Sequence, residues 1–129
     1  MSQLYIGTGK IGPRLYLCAL MDYESRMILE YEFGSTNSEK IKHKNCLKAG
    51  LETSPPVSRY VSSFFSSLSA EQMSHYRFRD NEERKDAAFD WIKYYNFERP
   101  HSALGYKTPA EVYYSKHPSN SRQENAGKA

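Results

Sequence analysis

The side chains best able to do chemistry in this sequence are scattered, and their spacing decides what each could do. His43 and Cys46 form an H-x-x-C pair, a spacing that can grip zinc. No second pair completes it, because His75, His101 and His117 stand alone, so no metal site is expected. Ser62 and Ser63 have no partnered histidine and acid, which leaves no activated serine nucleophile. The carboxylates do not converge either. Asp22 and Glu24 fall in a turn, Glu30 and Glu32 share one strand face, and Glu71 stands apart. Arg99, His101 and Lys107 flank a proline-bounded segment and are the candidates for contacting phosphates, since such contacts come mainly from these side chains. The alternative is a packed turn in which they are solvated or cap helix ends. Lys40, Lys42, Lys44 and Lys48 form a basic face that reads as solvated. Phe64, Phe65, Trp91, Tyr94 and Tyr95 could stack on bases, but they recur at helical spacing and read as core.

The elements that must position these residues follow from pattern. Residues 3–8 read as a short strand, and Gly9 to Pro13 as a turn. Arg14 to Met21 is nearly continuous and apolar, the mark of a central strand covered on both faces, with Cys18 a core thiol. Asp22 to Ser25 turns the chain. Met27 to Phe33 then alternates, with Leu29, Tyr31 and Phe33 on the core face. Residues 39–49 could form a short basic helix, and Ser54-Pro55-Pro56 breaks what surrounds it. Val61, Phe64, Phe65 and Leu68 make a helical stripe. Asp80, with Glu83 three residues on, opens a second helix carrying Ala88, Trp91, Ile92 and Tyr95, which Pro100 stops. Thr108, Pro109 and Glu111 start a third, with Ala110, Tyr113 and Tyr114 facing inward. Residues 117–129 have no apolar anchor and read as a disordered tail. The expected fold class is α+β: a three-stranded antiparallel meander followed by about three helices.

Composition bounds the function. The chain has 129 residues, enough for one domain or part of one. Mean hydropathy is −0.78, but 11 Tyr and 6 Phe argue against full disorder. No apolar run approaches a membrane span, and no secretory signal is visible, so a cytoplasmic location is expected. Two cysteines make no disulfide framework. A net charge of +3 does not by itself require nucleic acid. The basic excess lies in residues 35–62 and 99–129.

Two stretches go further than composition. Ser63-Phe64-Phe65-Ser66-Ser67-Leu68, and the run Tyr94-Tyr95-Asn96-Phe97-Glu98-Arg99-Pro100-His101-Ser102-Ala103-Leu104-Gly105-Tyr106-Lys107-Thr108-Pro109-Ala110, resemble the C-terminal part of the integrase core in bacterial insertion-sequence transposases of the IS-three type. That family shows E-S-F-F-x-x-L-K and Y-N-x-x-R-P-H-S-A-L-G-Y-x-T-P-A stretches. Tyr5-Ile6, Leu15-Tyr16-Leu17 and the Asp22-Tyr23-Glu24-Ser25-Arg26 turn are similar to the first strands of the same core.

The resemblance implies a ribonuclease-H-like fold and DNA phosphoryl transfer by three carboxylates holding two Mg²⁺ ions. The family's acids are unmatched here. The first Asp position falls on Ser2 and the Glu on Ser62, while the stretch bearing the second Asp has no counterpart between Gly34 and Ser62. Glu71 lies nine residues beyond Ser62, about 13.5 Å along a helix and too far to replace it. The resemblance therefore implies a truncated, degenerate copy. Residues 1–116 would form a shortened domain with an incomplete core and an internal deletion around 34–58. No metal would bind, and the partners would be DNA, weakly, or intact transposase subunits in a bacterial cytoplasm. An uncovered sheet edge would favour poor folding and aggregation.

Overall fold

A computed structural model of the chain describes residues 4–35, 50 and 58–117. Three strands come first: β1 (Leu4–Gly12), β2 (Leu15–Asp22) and β3 (Ile28–Gly34). Helix α1 (Arg59–Leu68) runs into a π-helical turn at Ser69–Met73, then α2 (Asn81–Phe97), a 3₁₀ turn at Ser102–Leu104 and α3 (Pro109–Lys116). This is the expected α+β layout. The expectations for Ser2, for residues 39–49 with His43, Cys46 and the lysine face, and for the tail after His117 lie outside the described residues.

The sheet is antiparallel in the order β1-β2-β3, and β2 is central and buried on both faces. Leu17, Ala19 and Met21 join the core under the helices, while Cys18 and Leu20 pack with Ile6 on the opposite face. β1 is longer than its pattern suggests. Gly9 to Gly12 continue the strand, pairing as far as Gly12 with Leu15, and the turn is only Pro13-Arg14, with Arg14 at φ 54°. The glycines serve packing instead. A Cβ at Gly7 would overlap Val61 Cγ1, and one at Gly9 would lie 2.7 Å from Phe65 Cδ1. Bare backbone at these two positions lets α1 lie directly on β1.

β3 also departs from simple alternation. The register slips between Leu20 and Met21, whose partners are Glu30 and Ile28. Leu29 is the extra residue of a bulge. Ile28 therefore takes the core place beside Tyr31 and Phe33 that alternation assigns to Leu29.

The helices are seated by their stripes. Val61, Phe64 and Leu68 of α1 are buried, as are Ala88, Trp91, Ile92 and Tyr95 of α2. Phe65 is partly buried against the same core. Tyr94 is 40% exposed, so it does not belong to the core as its neighbours do. In α3 only Pro109 and Ala110 are buried, and Tyr113 and Tyr114 are half-buried and lie edge-on to each other. Their helix is only eight residues long, so a single turn reaches the core. Asp80 caps α2 by accepting from Glu83 N–H at 3.0 Å. The capping box is incomplete, because the Glu83 carboxylate accepts instead from the backbone N–H and Nε of Arg79, each at 2.7 Å. The Thr108–Glu111 box is complete in both directions. Among the described residues no helix is long and apolar enough to cross a membrane.

Candidate functional site

The site is built on the turn between β2 and β3. Asp22 is buried, and its Oδ2 accepts from Ser25 N–H at 3.0 Å and Ser25 Oγ–H at 2.7 Å. Ser25 Oγ in turn accepts from Met27 N–H. These bonds hold Arg26 in a left-handed conformation, φ 65°, and aim its guanidinium across α1, where it lies 3.9 Å from the centre of the Tyr60 ring. The end of α2 fastens the same turn. Tyr95 Oη–H donates to the Arg26 carbonyl at 2.9 Å. The Asn96 amide accepts from Ile28 N–H and donates to Ile28 C=O, as a neighbouring strand would. The Tyr95-Asn96 pair of the long motif is thus a structural clamp on the sheet edge.

Beyond α2 the chain folds back. His101 N–H donates to the Lys107 carbonyl at 3.0 Å, closing a small loop. Gly105 and Tyr106 both have positive φ, 66° and 64°, and Tyr106 stands 75% exposed at the tip. His101 is half-buried, edge-on to Tyr95 at 4.9 Å between ring centres. Its Nε2 is buried without a partner, as is Arg26 Nε. Together with Tyr60, Ser63, Phe64, Ser67, Tyr95 and Arg99, these two residues line a cleft of about 250 Å³.

The three residues singled out from sequence therefore separate. Arg99 and His101 share the cleft, but Arg99 is already engaged. Its Nη2 lies 2.6 Å from Glu71 Oε2 and its Nε bridges both Glu71 oxygens. Lys107 contributes its carbonyl to the loop, and its exposed side chain does not line the cleft. Arg26, Ser63 and Ser67 were missed as site residues. Arg26 was visible as the last residue of the D-x-x-S-R turn, and the i, i+4 spacing of the serines was visible on α1, but neither signal points into a cleft without the fold.

The electrostatics follow from this crowding. Burial holds the His101 imidazole down to about 4, and the positive charges of Arg99 and Arg26 add to the effect, while Glu71 opposes it. The Arg99 hydrogen bond holds the Glu71 carboxyl below its ordinary range. Both depressions act in one direction. The unfolded chain takes up protons at these groups at higher pH than the folded chain does, so stability falls with falling pH. For His101 the loss begins below its ordinary value of 6.5 and is complete near 4. The melting temperature should fall between pH 7 and 4, and His101→Gln should flatten the upper part of that slope. An unchanged slope in the variant would refute the assignment to His101.

The Mg²⁺ ions of the resembling family do not fit these residues. Ser62 presents an exposed neutral hydroxyl on α1, and Mg²⁺ prefers charged oxygen ligands. Glu71 is bound to a guanidinium and also accepts from Trp91 Nε1 at 3.3 Å. Among the described residues no group of three or more His, Cys, Asp or Glu could hold a metal ion.

Residues 52–109 match the family model of the integrase core domain. No curated protein and no solved structure matches the chain. The matched stretch contains α1, α2 and the loop that border the cleft, and with the three-stranded sheet before it the α+β layout is consistent with a ribonuclease-H-like integrase core.

Proposed function

We propose that this chain is a catalytically inactive remnant of an insertion-sequence transposase core, from a family that moves DNA by metal-dependent phosphoryl transfer. The observation that carries the reading is Ser62. It stands exposed on α1, where the motif resemblance aligns the family's metal-binding Glu, and the nearest carboxylate along the chain, Glu71, is engaged by Arg99. A two-metal centre needs charged ligands on both sides of the reacting phosphate, and one neutral hydroxyl supplies none. Incubation of the full chain with a supercoiled plasmid and Mg²⁺ or Mn²⁺ should yield no nicked product. Ser62→Glu should yield none either, because a single restored acid cannot hold two ions. Metal-dependent nicking by the unaltered chain would overturn the reading.

A second reading is favoured by the cleft itself: a non-catalytic fragment that touches DNA phosphates, or docks on an intact transposase and inhibits it. Arg26 and Arg99 border the cleft. Each phosphate neutralised adds about −0.9 to the slope of log affinity against log salt. A measurable slope on duplex DNA supports the DNA-contact arm of this reading, and a flat response removes that arm.

A further inference from the structure

We propose that the cleft between the β2–β3 turn, α1 and the loop after α2 binds a phosphate oxyanion through Arg26, Ser63, Ser67 and His101. The inference rests on the phosphate-contact reading above and narrows it to one site with its own test. Arg26 and His101 both line this cleft, and each also holds a buried nitrogen without a partner, Nε and Nε2. A buried polar group left unpaired is rare and needs an account, and here both belong to residues of one cleft. An oxyanion accepts from a guanidinium N–H and from a neutral imidazole carrying its proton on Nε2. The hydroxyls of Ser63 and Ser67, one helical turn apart, border the cleft from α1. A volume of about 250 Å³ exceeds that of several water molecules at about 30 Å³ each.

Charge agrees with this choice of ligand. The groups facing His101 are Arg26 from the turn, Arg99 from the end of α2, and Glu71 beyond it. Arg99 is already neutralised by Glu71. Arg26 instead rests on the Tyr60 ring, a contact that fixes the guanidinium plane without cancelling its charge. Tyr60 is itself held edge-on to Tyr23 at 5.8 Å. The cleft is therefore bordered by a guanidinium stacked on an aromatic ring.

The test is an amide and imidazole NMR titration of the full chain at low salt, first with inorganic phosphate and then with a short DNA duplex. Saturable shifts centred on Arg26, Ser63, Ser67 and His101 are expected. Bound phosphate should move the His101 ring titration up by about one pH unit or more, since it adds a negative charge beside a ring held low by burial and by two arginines. Arg26→Gln should weaken phosphate binding by about tenfold or more, and Arg26→Lys by less. The ring titration of the unaltered chain gives a readout that no variant's folding can compromise.

The two ligands separate the sources. Shifts with both, and competition between them, assign the site to backbone phosphate. Shifts with inorganic phosphate alone support a site for a free or terminal phosphate, while the DNA-contact reading fails. Duplex binding that leaves Arg26 and His101 unmoved overturns the site and leaves the DNA reading standing. Phosphate binding of equal strength in Arg26→Gln, or no saturable change with either ligand, overturns the proposal.

Discussion

Phe64→Ala should remove about 3–5 kcal/mol of stability, the ordinary cost of emptying a large aromatic site in a packed core. Phe64 is 1% exposed and sits among three aromatic rings, with centroid distances of 5.1 Å to Phe65, 5.6 Å to Trp91 and 5.0 Å to Tyr95. It joins α1 to α2, and Val61, one turn before it, joins α1 to β1. The cavity could not close without moving both helices. Domains of this size have about 5–15 kcal/mol in all, so the variant should be largely unfolded at modest urea. Tyr94→Ala provides the contrast. Tyr94 is exposed on the same helix as Trp91 and Tyr95, and its loss should stay near 0.5 kcal/mol. Equal urea midpoints for the two variants would mean that Phe64 is not the centre of the core.

Asn96→Ala should cost about 2–4 kcal/mol for a different reason. The side chain is 5% exposed, and its amide occupies both backbone groups of Ile28, at 2.9 Å and 3.0 Å. Removing it leaves an N–H and a C=O buried without partners, at about 1–3 kcal/mol for each such group. Ile28 lies on β3, at the edge of the described sheet and beside its bulge, where no neighbouring strand of that sheet can take over. A fall in melting temperature of roughly 10 °C is expected. Amide exchange at Ile28 should quicken far more than at Leu20 in central β2. Unchanged protection of the Ile28 amide would show that the clamp carries no load. The Arg26 cleft should loosen with it, because Tyr95 and Asn96 fasten the two ends of the same turn.

These two residues also mark what a one-dimensional reading can reach. Phe64 was legible as core because helical periodicity is a local signal: Val61, Phe64 and Leu68 recur on one face whatever they pack against. The same holds for Trp91, Ile92 and Tyr95, and for the Thr108-Pro109-Glu111 helix start, whose bonds join residues three apart. The long Tyr94–Ala110 run carried the resemblance to the integrase core, but said nothing of why Asn96 stands in it. That became clear only when Ile28, 68 residues away, was seen to be its partner.

Amino-acid order by itself thus determined most of the strands and helices, the α+β class and the motif stretch. It did so because period, caps and turn chemistry are properties of neighbouring residues. Tertiary structure decided the rest. Gly9 looks the same in sequence whether it makes a turn or admits a helix, and only the approach of Phe65 distinguishes the two. Leu29 and Ile28 exchanged roles because a bulge depends on the partner strand. Arg99 looked free until Glu71, 28 residues earlier, was found against it. Arg26 looked like a turn residue until His101 closed the cleft beside it. Each of these is set by which distant groups meet, since charge and unpaired donors act through space and not along the chain.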